Sequence, residues 1–333
     1  MLSQNKKNTI ARLCALTLLF SYAEMLLPRI VPFFRLGLAN SAILLAFELP
    51  FPHFSLLCVL KAITSSLMAG TLLSPFFLIS LAQSVFSGIF MYALFYFNHI
   101  ASNKLFSRYG ISVIGSVLSG FIQIALSSIY LGSGTFKLLG PVLIFNTISG
   151  IITALLADYL SENKADESKN EFLLSPIPST QISTRNTVLQ LLLLFILLSA
   201  SLSVFFIKNL WVLSAFFIFS LILQKISGRK IMILPHIFMW IFIFASSIFI
   251  PNGKVILKIG FLSITQNSFF SALKKSLVLS TISAFSQVST AIKLPPNTLI
   301  GQSLAYYREL LKTFRSTKGN IFEKLKETTK IAL

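Results

Sequence analysis

Ten apolar runs separated by polar stretches constrain the fold of this 333-residue chain more than any other feature. A membrane-spanning helix needs about 20 mostly apolar residues, and most of the runs approach or exceed that length. Hydrophobic residues make up 55% of the chain and charged residues only 11%, whereas soluble domains contain about 25% charged residues. We therefore predict an all-α, polytopic membrane bundle of about ten transmembrane helices. The runs are 9–27, 36–49, 54–72, 75–97, 110–131, 138–160, 186–207, 209–224, 231–250 and 269–291.

The runs form two groups on either side of a polar linker. Residues 1–160 contain six runs and are predicted to form a six-helix module. Residues 161–185 contain four of the ten acidic residues, two prolines and many Ser and Thr, which is typical of a linker, here predicted to be cytoplasmic. Residues 186–292 are predicted to form a four-helix module, in which 251–268 is the hardest segment to assign. Residues 293–333 form a basic, amphipathic tail.

The second run, 36–49, is short for a membrane span. We expect it to be tilted, or to follow a loop at 28–35 that folds back into the protein. Irregular backbone is tolerated at membrane depth only where it is buried in protein or lines a cavity. Pro28 and Pro32 suit such a re-entrant loop, which would gate the cavity.

The formal net charge of +18 indicates an orientation in the membrane and argues against nucleic-acid binding. Lys and Arg occur in short clusters between the runs, whereas nucleic-acid binding needs a basic face on a folded domain. Cytoplasmic loops are enriched in Lys and Arg. This bias places both termini on the cytoplasmic side of the cell (inner) membrane. It also places the turn between the third and fourth runs outside and the basic cluster at 225–230 inside.

Seven polar residues in or beside the runs of the first module are candidate substrate-binding residues. A charged side chain inside a bilayer is costly, so one that is retained there usually faces a cavity or a partner. Lys61 lies about seven residues into its run, too deep to reach the interface easily, and we expect it to line a cavity. The seven candidates are Glu24, Arg35, Asn40, Lys61, Gln83, Gln123 and Asn146.

Each of these residues has a structural alternative. Glu24 could contact a substrate, or it could form an ion pair with Arg29 or Arg35 near the outer membrane face. Arg35 could bind a carboxylate or phosphate group in a bidentate manner, or it could extend to the interface. The amides of Gln83, Gln123 and Asn146 could equally form hydrogen bonds between helices, which is the commoner use of such residues.

The tail has helical periodicity. Apolar residues recur three to four positions apart at Leu304, Tyr307, Leu311 and Phe314. Basic residues lie between them and are candidate partner-coupling residues: Arg308, Lys312 and Arg315. Such a helix could lie on anionic lipid or dock onto a cytoplasmic partner.

Residues 10–160 contain five recognisable features: SYAEMLLP at 21–28, PFFRLGLAN at 32–40, Lys61 inside the third run, GFIQIAL around Gln123 and the closing SGIITALLADYL. On these features, residues 10–160 resemble the Gx transporter family, also called heptaprenyl diphosphate synthase component I. Lys61 stands where Arg is expected, and residues 119–121 replace expected polar residues. This family is similar to the S components of energy-coupling factor (ECF) transporters, which implies a six-helix, substrate-capturing membrane subunit.

A weaker resemblance covers the second half. Residues 253–290 are similar to the region of ECF T components in which a Gly-containing segment leads into a long helix, with Lys275 at a position that is usually basic. The Ala-Arg-Gly motifs of the T-component coupling helices are absent from the sequence. The resemblance thus implies a diverged T-like module that couples to separate cytoplasmic ATPase subunits.

The sequence lacks the motifs of several enzyme classes, and this narrows the range of functions that we expect. Prenyl-chain elongation requires Asp-rich clusters that hold Mg²⁺, and the only two aspartates are Asp158 and Asp166. No G-x-x-x-x-G-K-[ST] phosphate loop occurs, so ATP hydrolysis would come from other subunits. Two cysteines and three histidines show no metal-ligand spacing. We therefore predict no catalytic residue, metal site or cofactor, and we do not expect an enzyme.

The sequence thus favours an integral membrane subunit of an ECF-type transporter. It would capture a small vitamin- or precursor-like metabolite from outside, and separate ATPase subunits would drive uptake. The alternative is the non-catalytic membrane component I of a heptaprenyl diphosphate synthase, with a soluble synthase subunit as its partner. A scaffold that recruits a cytoplasmic enzyme to the bilayer is a further possibility.

Overall fold

The computed structural model describes residues 4–26, 37–100, 105–161, 184–231, 233–248, 253–259, 262–290 and 298–332. Most of these residues are helical. The predicted gating loop at 28–35, with Arg29 and Arg35, and most of the predicted linker lie outside the described residues.

The described residues of the first module form seven α-helices and two short irregular helices. They are α1 (Gln4–Leu26), α2 (Ala39–Leu45), α3 (Phe51–Ala69), α4 (Pro75–Ala82), a π-helical segment (Gln83–Ser87), α5 (Gly88–Ile100), α6 (Arg108–Leu131), a 3₁₀ helix (Ser133–Leu138) and α7 (Leu139–Ser161).

Local signals in the sequence explain several helix boundaries. Proline occupies the first turn of both α3 and α4, where its missing N–H has no intrahelical partner to lose. Ser107 caps α6, since its side chain accepts a hydrogen bond from the N–H of Gly110 at 3.1 Å. Helix α3 ends at Gly70, whose φ of 66° is the left-handed conformation that glycine adopts most readily.

Four helical stretches are long and apolar enough to cross a membrane: Phe51–Ala69, Pro75–Ile100, Arg108–Tyr130 and Ser133–Ser161. They coincide with the third to sixth predicted runs, and the chain is a helical membrane protein. The count of ten spans is not confirmed. Within the second predicted run, the described residues form the seven-residue α2. The apolar helical stretches of the second module are shorter: Val188–Val204, Leu210–Ile226 and His236–Ala245.

The second module is built around one long helix. Its elements are α8 (Thr184–Val204), α9 (Leu210–Ile226), α10 (Ile233–Ile248), β1 (Val255–Ile259), β2 (Leu262–Thr265) and α11 (Gln266–Ser289). Helices α8, α9 and α10 all pack on α11. Much of the buried surface of α11 consists of hydroxyl side chains, and one of them, Ser280, accepts a hydrogen bond from Trp240 Nε1 at 2.7 Å. Strands β1 and β2 form an antiparallel hairpin within the segment 251–268.

The tail forms two helices that pack on the first module. They are α12 (Leu299–Ser316) and α13 (Ile321–Ala332). Tyr306, Tyr307, Leu310 and Phe314 are buried in one core cluster together with apolar residues of α1. Because this packing covers the apolar face of α12, that face is not available to lie on lipid. The amphipathic periodicity read from the sequence is real, but its apolar side is directed at α1.

The two modules meet where the α3–α4 turn contacts the end of α11. The backbone N–H of Leu73 donates a hydrogen bond to Ser286 Oγ at 2.9 Å. A Cβ atom added to Gly70 would lie 2.8 Å from Gln287 Cγ, so only glycine permits this approach. Gln287 also accepts a hydrogen bond from Gln224 near the end of α9.

These contacts change part of the predicted orientation. The Lys and Arg bias placed the α3–α4 turn outside and the cluster at 225–230 inside, yet Gln287 contacts Gly70 and also binds Gln224. A hydrocarbon core about 30 Å thick would separate the two turns if they lay on opposite sides. They therefore lie at one end of the molecule. The charge bias could not reveal this because it weighs each loop separately.

Candidate functional site

Lys61 and Asn40 form the centre of the candidate site. Lys61 Nζ, on α3, donates a hydrogen bond to Asn40 Oδ1, on the first turn of α2, and both residues are half-buried. One turn further along α3, Thr64 Oγ1 lies 3.4 Å from the thiol of Cys14 on α1. The lysine predicted to line a cavity thus has a polar partner on a neighbouring helix, as expected for a charged group at membrane depth.

Glu24 lies at the entrance to α2. Its Oε1 accepts a hydrogen bond from the N–H of Gly37 at 3.0 Å. Gly37 has a φ of 68°, and a Cβ atom there would lie 3.2 Å from Asn40 Nδ2. The backbone conformation therefore favours glycine at this position, and a Cβ atom would also crowd the Asn40 side chain. Through Gly37 and Asn40, the start of α2 joins the carboxylate on α1 to the amine on α3.

Gln83 and Gln123 form a second polar cluster between the π-helical segment and α6. Gln83 Nε2 lies within hydrogen-bonding distance of three oxygens: the carbonyl of Ser119 at 3.1 Å, and Ser119 Oγ and Gln123 Oε1 at 3.3 Å. Gln83 is the first residue of the π-helical segment. Such single-turn insertions are rare and occur often at functional sites.

Helix α7 connects the two clusters. Asn146 packs against α6, since a Cβ atom added to Gly120 would lie 2.0 Å from Asn146 Nδ2. One turn later, Ser149 Oγ lies 3.6 Å from the corresponding Cβ position on Gly37. Asn146 Nδ2 is buried and has no hydrogen-bond partner among the described residues. An amide donor in this state can bind an acceptor on a ligand or a water molecule.

Six of the seven candidates therefore lie in two clusters joined by α7, and the seventh, Arg35, lies outside the described residues. Sequence reasoning missed the hydroxyl groups that complete these clusters. Ser41 Oγ donates to the carbonyl of Thr153 at 2.9 Å, and Ser112 Oγ lies 2.8 Å from Thr153 Oγ1. Ser and Thr are common in apolar helices, so their type alone carried no signal. The adjacent Gly150, whose Cβ would lie 2.7 Å from Val113 Cα, marks the close helix approach.

A separate groove of 580 Å³ lies between the α4–α5 segment and α6, and all of its lining residues are apolar: Ala82, Phe86, Ile89, Phe90, Ala93, Leu118, Phe121, Ile122, Ala125 and Leu126. Phe86 and Phe121 are 63% and 50% exposed on helices long enough to cross a membrane. This surface suits lipid contact, so we place the candidate site at the polar clusters.

The three predicted coupling residues lie on the exposed side of α12. Arg308 and Lys312 are exposed. Arg315 donates a hydrogen bond to the hydroxyl of Tyr22 at 3.2 Å, and its guanidinium carbon lies 5.7 Å from the centre of the Tyr22 ring. The tail therefore reaches the end of α1 that carries Glu24, which the orientation prediction had placed near the outer membrane face.

The described residues include no group of three or more His, Cys, Asp and Glu side chains that could hold a metal ion. Asp158 binds Arg108 at 2.5 Å, and both side chains are partly exposed at one end of the first module.

Each module matches one family model. Residues 13–160 match the family model described as heptaprenyl diphosphate synthase component I, which confirms the resemblance predicted for 10–160. Residues 186–288 match a domain of unknown function, DUF8519. That match lends no support to the resemblance of 253–290 to a T component. Neither the comparison with curated proteins nor the comparison with solved structures found a match.

Proposed function

We propose that this membrane protein captures a small vitamin- or precursor-like metabolite in its first module, as a subunit of an ECF-type transporter with separate ATPase subunits. The observation that carries the proposal is the Lys61–Asn40 hydrogen bond between α3 and α2. A charged residue at membrane depth is a candidate functional residue by default. The contact of Glu24 with Gly37 brings a carboxylate to the same short helix.

The roles of the site residues follow from their chemistry. Lys61 and Asn40 would bind an anionic or carbonyl group of the substrate, and Glu24 would accept a hydrogen bond from it. Gln83, Gln123 and Asn146 would bind uncharged polar groups, and the buried Nδ2 of Asn146 supports this role. Arg35 is included on the strength of the family resemblance.

Helix α12 would couple the module to the ATPase subunits. Its apolar face is packed on α1, whereas Arg308 and Lys312 on the opposite face are exposed. These two cations can bind an acidic surface without disturbing the packing of α12. Deleting the whole tail is a poor test, because deletion would also uncover α1.

The test measures uptake and binding separately. Cells with and without the protein receive a panel of labelled vitamins and of isoprenoid and flavin precursors. We expect Lys61→Met to abolish both uptake and binding of the active compound. We expect the double variant Arg308→Glu, Lys312→Glu to keep binding and to lose uptake. Normal uptake by both variants would overturn the proposal.

A second candidate function is supported by the family match of residues 13–160. As the membrane component of a prenyl diphosphate synthase, the protein would raise the activity of a soluble, Asp-rich synthase subunit. Membranes that contain the protein would then stimulate that subunit, and Lys61→Met would leave the stimulation unchanged. Lack of any stimulation would exclude this function.

A further inference from the structure

The β1–β2 hairpin and the first turn of α11 form a surface that the transport proposal does not use. We call it the hairpin patch, defined by Lys254, Val255, Ile256, Lys258, Phe269 and Phe270. Its four apolar side chains are 57%, 60%, 42% and 51% exposed, in that order. Both lysines are exposed as well. The patch thus combines aliphatic, aromatic and cationic side chains on one small element.

A β-bulge explains why two consecutive aliphatic residues are exposed. Side chains normally alternate between the two faces of a strand. The register of β1 shifts between Val255, which pairs with Thr265, and Leu257, which pairs with Ile264. An extra residue at a bulge interrupts the alternation, and Val255 and Ile256 are both exposed as a result.

The patch is held firmly on the second module. The N–H of Gln266 donates a hydrogen bond to the carbonyl of Lys254 at 2.9 Å. Gly253 has a φ of 92°, and a Cβ atom there would lie 2.7 Å from Asn267 Nδ2. The ring of Phe269 lies 5.4 Å from that of Phe244 on α10 and 6.0 Å from that of Phe270. The exposed apolar residues therefore belong to a fixed element.

The charge of the surrounding chain indicates what the patch binds. No Asp or Glu occurs between Glu171 and Glu309, so the second module carries only positive formal charges. Exposed apolar side chains flanked by Lys are typical of elements that lie at the surface of anionic membranes. A protein partner that displayed acidic groups would also need to cover four exposed apolar side chains.

We propose that the hairpin patch binds anionic phospholipids at the membrane surface, with Val255 and Ile256 at the acyl boundary and Lys254 and Lys258 at the phosphates. The hairpin cannot cross the membrane, because its strands have five and four residues and a transmembrane strand needs about 9–11. An open hairpin edge is also excluded from the hydrocarbon core. This proposal is independent of the transport function.

The experiment uses the full chain in lipid nanodiscs, with a polarity-sensitive dye on Ile256→Cys. The native cysteines, Cys14 and Cys58, are buried. Nitroxide lipids labelled either at the headgroup or deep in the acyl chain report the depth of the dye. Discs of phosphatidylcholine alone are compared with discs that also contain phosphatidylglycerol. A dye on Phe322→Cys, exposed to a similar extent on α13, serves as the reference position.

We expect stronger quenching by the headgroup nitroxide than by the deep one, and an increase when phosphatidylglycerol is present. Each lysine at an anionic surface contributes about fivefold in affinity, so Lys254→Gln with Lys258→Gln should remove most of that increase. Lys318→Gln, at an exposed lysine in the turn after α12, should leave it unchanged. Aqueous iodide is added as a quencher that reaches only a dye exposed to water. Stronger quenching by the deep nitroxide than by the headgroup nitroxide would overturn the proposal. Quenching by iodide alone, or nitroxide quenching that does not change when phosphatidylglycerol is added, would overturn it as well.

Discussion

The N–H of Gly37 donates a hydrogen bond to Oε1 of Glu24, which joins the last turn of α1 to the start of α2. This bond needs an acceptor oxygen but not a negative charge. A glutamine at position 24 can replace the acceptor while removing the charge, so the structural and electrostatic roles of Glu24 can be separated.

We expect Glu24→Gln to keep the thermal stability of the protein and to weaken substrate binding about tenfold, as for loss of one charged contact. Binding to the purified protein and its unfolding temperature are the two measurements. Glu48→Gln, at an exposed carboxylate beyond the other end of α2, is the control and should change neither. A large loss of stability in Glu24→Gln would instead show that the charge holds α1 and α2 together.

Lys61 tests whether the site needs a cation. Met is similar in length but carries no charge, so we expect Lys61→Met to fold and to lose substrate binding. Lys61→Arg restores the residue that the family resemblance expects and should retain binding. Titration of both variants with the transported compound checks this expectation. Equal binding by all three proteins would remove Lys61 from the site.

Substitution of Gly70 tests the contact between the two modules. Alanine at a positive φ costs about 1–2 kcal/mol, and at Gly70 the new Cβ would also collide with Gln287. Gly228 has a similar φ of 72° with no atom within 4 Å of its Cβ position. We expect Gly70→Ala to be clearly less stable than Gly228→Ala in thermal unfolding, because only the former disturbs α11. Equal destabilisation would mean that backbone conformation alone matters.

Substitution of Phe314 tests the packing of α12 on α1. It is 3% exposed, and its ring lies 6.3 Å from that of Tyr22. We expect Phe314→Ala to cost about 3–5 kcal/mol and to make α12 sensitive to limited proteolysis. Phe322→Ala, at a position that is 48% exposed, should cost little. Protease resistance of Phe314→Ala equal to that of the wild type would contradict the packing of α12 on α1.

The contacts of Gln287 with Gly70 and with Gln224 place two turns at one end of the molecule. We expect Thr71→Cys and Arg229→Cys to react with a membrane-impermeant maleimide from the same side of sealed vesicles. Labelling of Arg229→Cys and Thr71→Cys from opposite sides would support the orientation read from the charge bias.

Hydropathy predicted α3 to α7 well, because long apolar helices follow directly from the cost of unpaired backbone groups in lipid. The hairpin was not predicted, because hydropathy left the segment 251–268 unassigned and carries no information about which residues pair across two strands. The π-helical segment at Gln83 and the close approach at Gly70 depend on contacts between distant segments. Polarity alone makes Lys61 and Asn40 candidate site residues, but their hydrogen bond could not be anticipated from sequence spacing.

The packing of α12 on α1 also affects biosynthesis. Tyr22 and Arg315 are 293 positions apart, so α1 leaves the ribosome first and its binding partner leaves almost last. One side of α1 must wait through the synthesis of both modules before it is covered. Chains that terminate before α12 would therefore leave an apolar side of α1 uncovered.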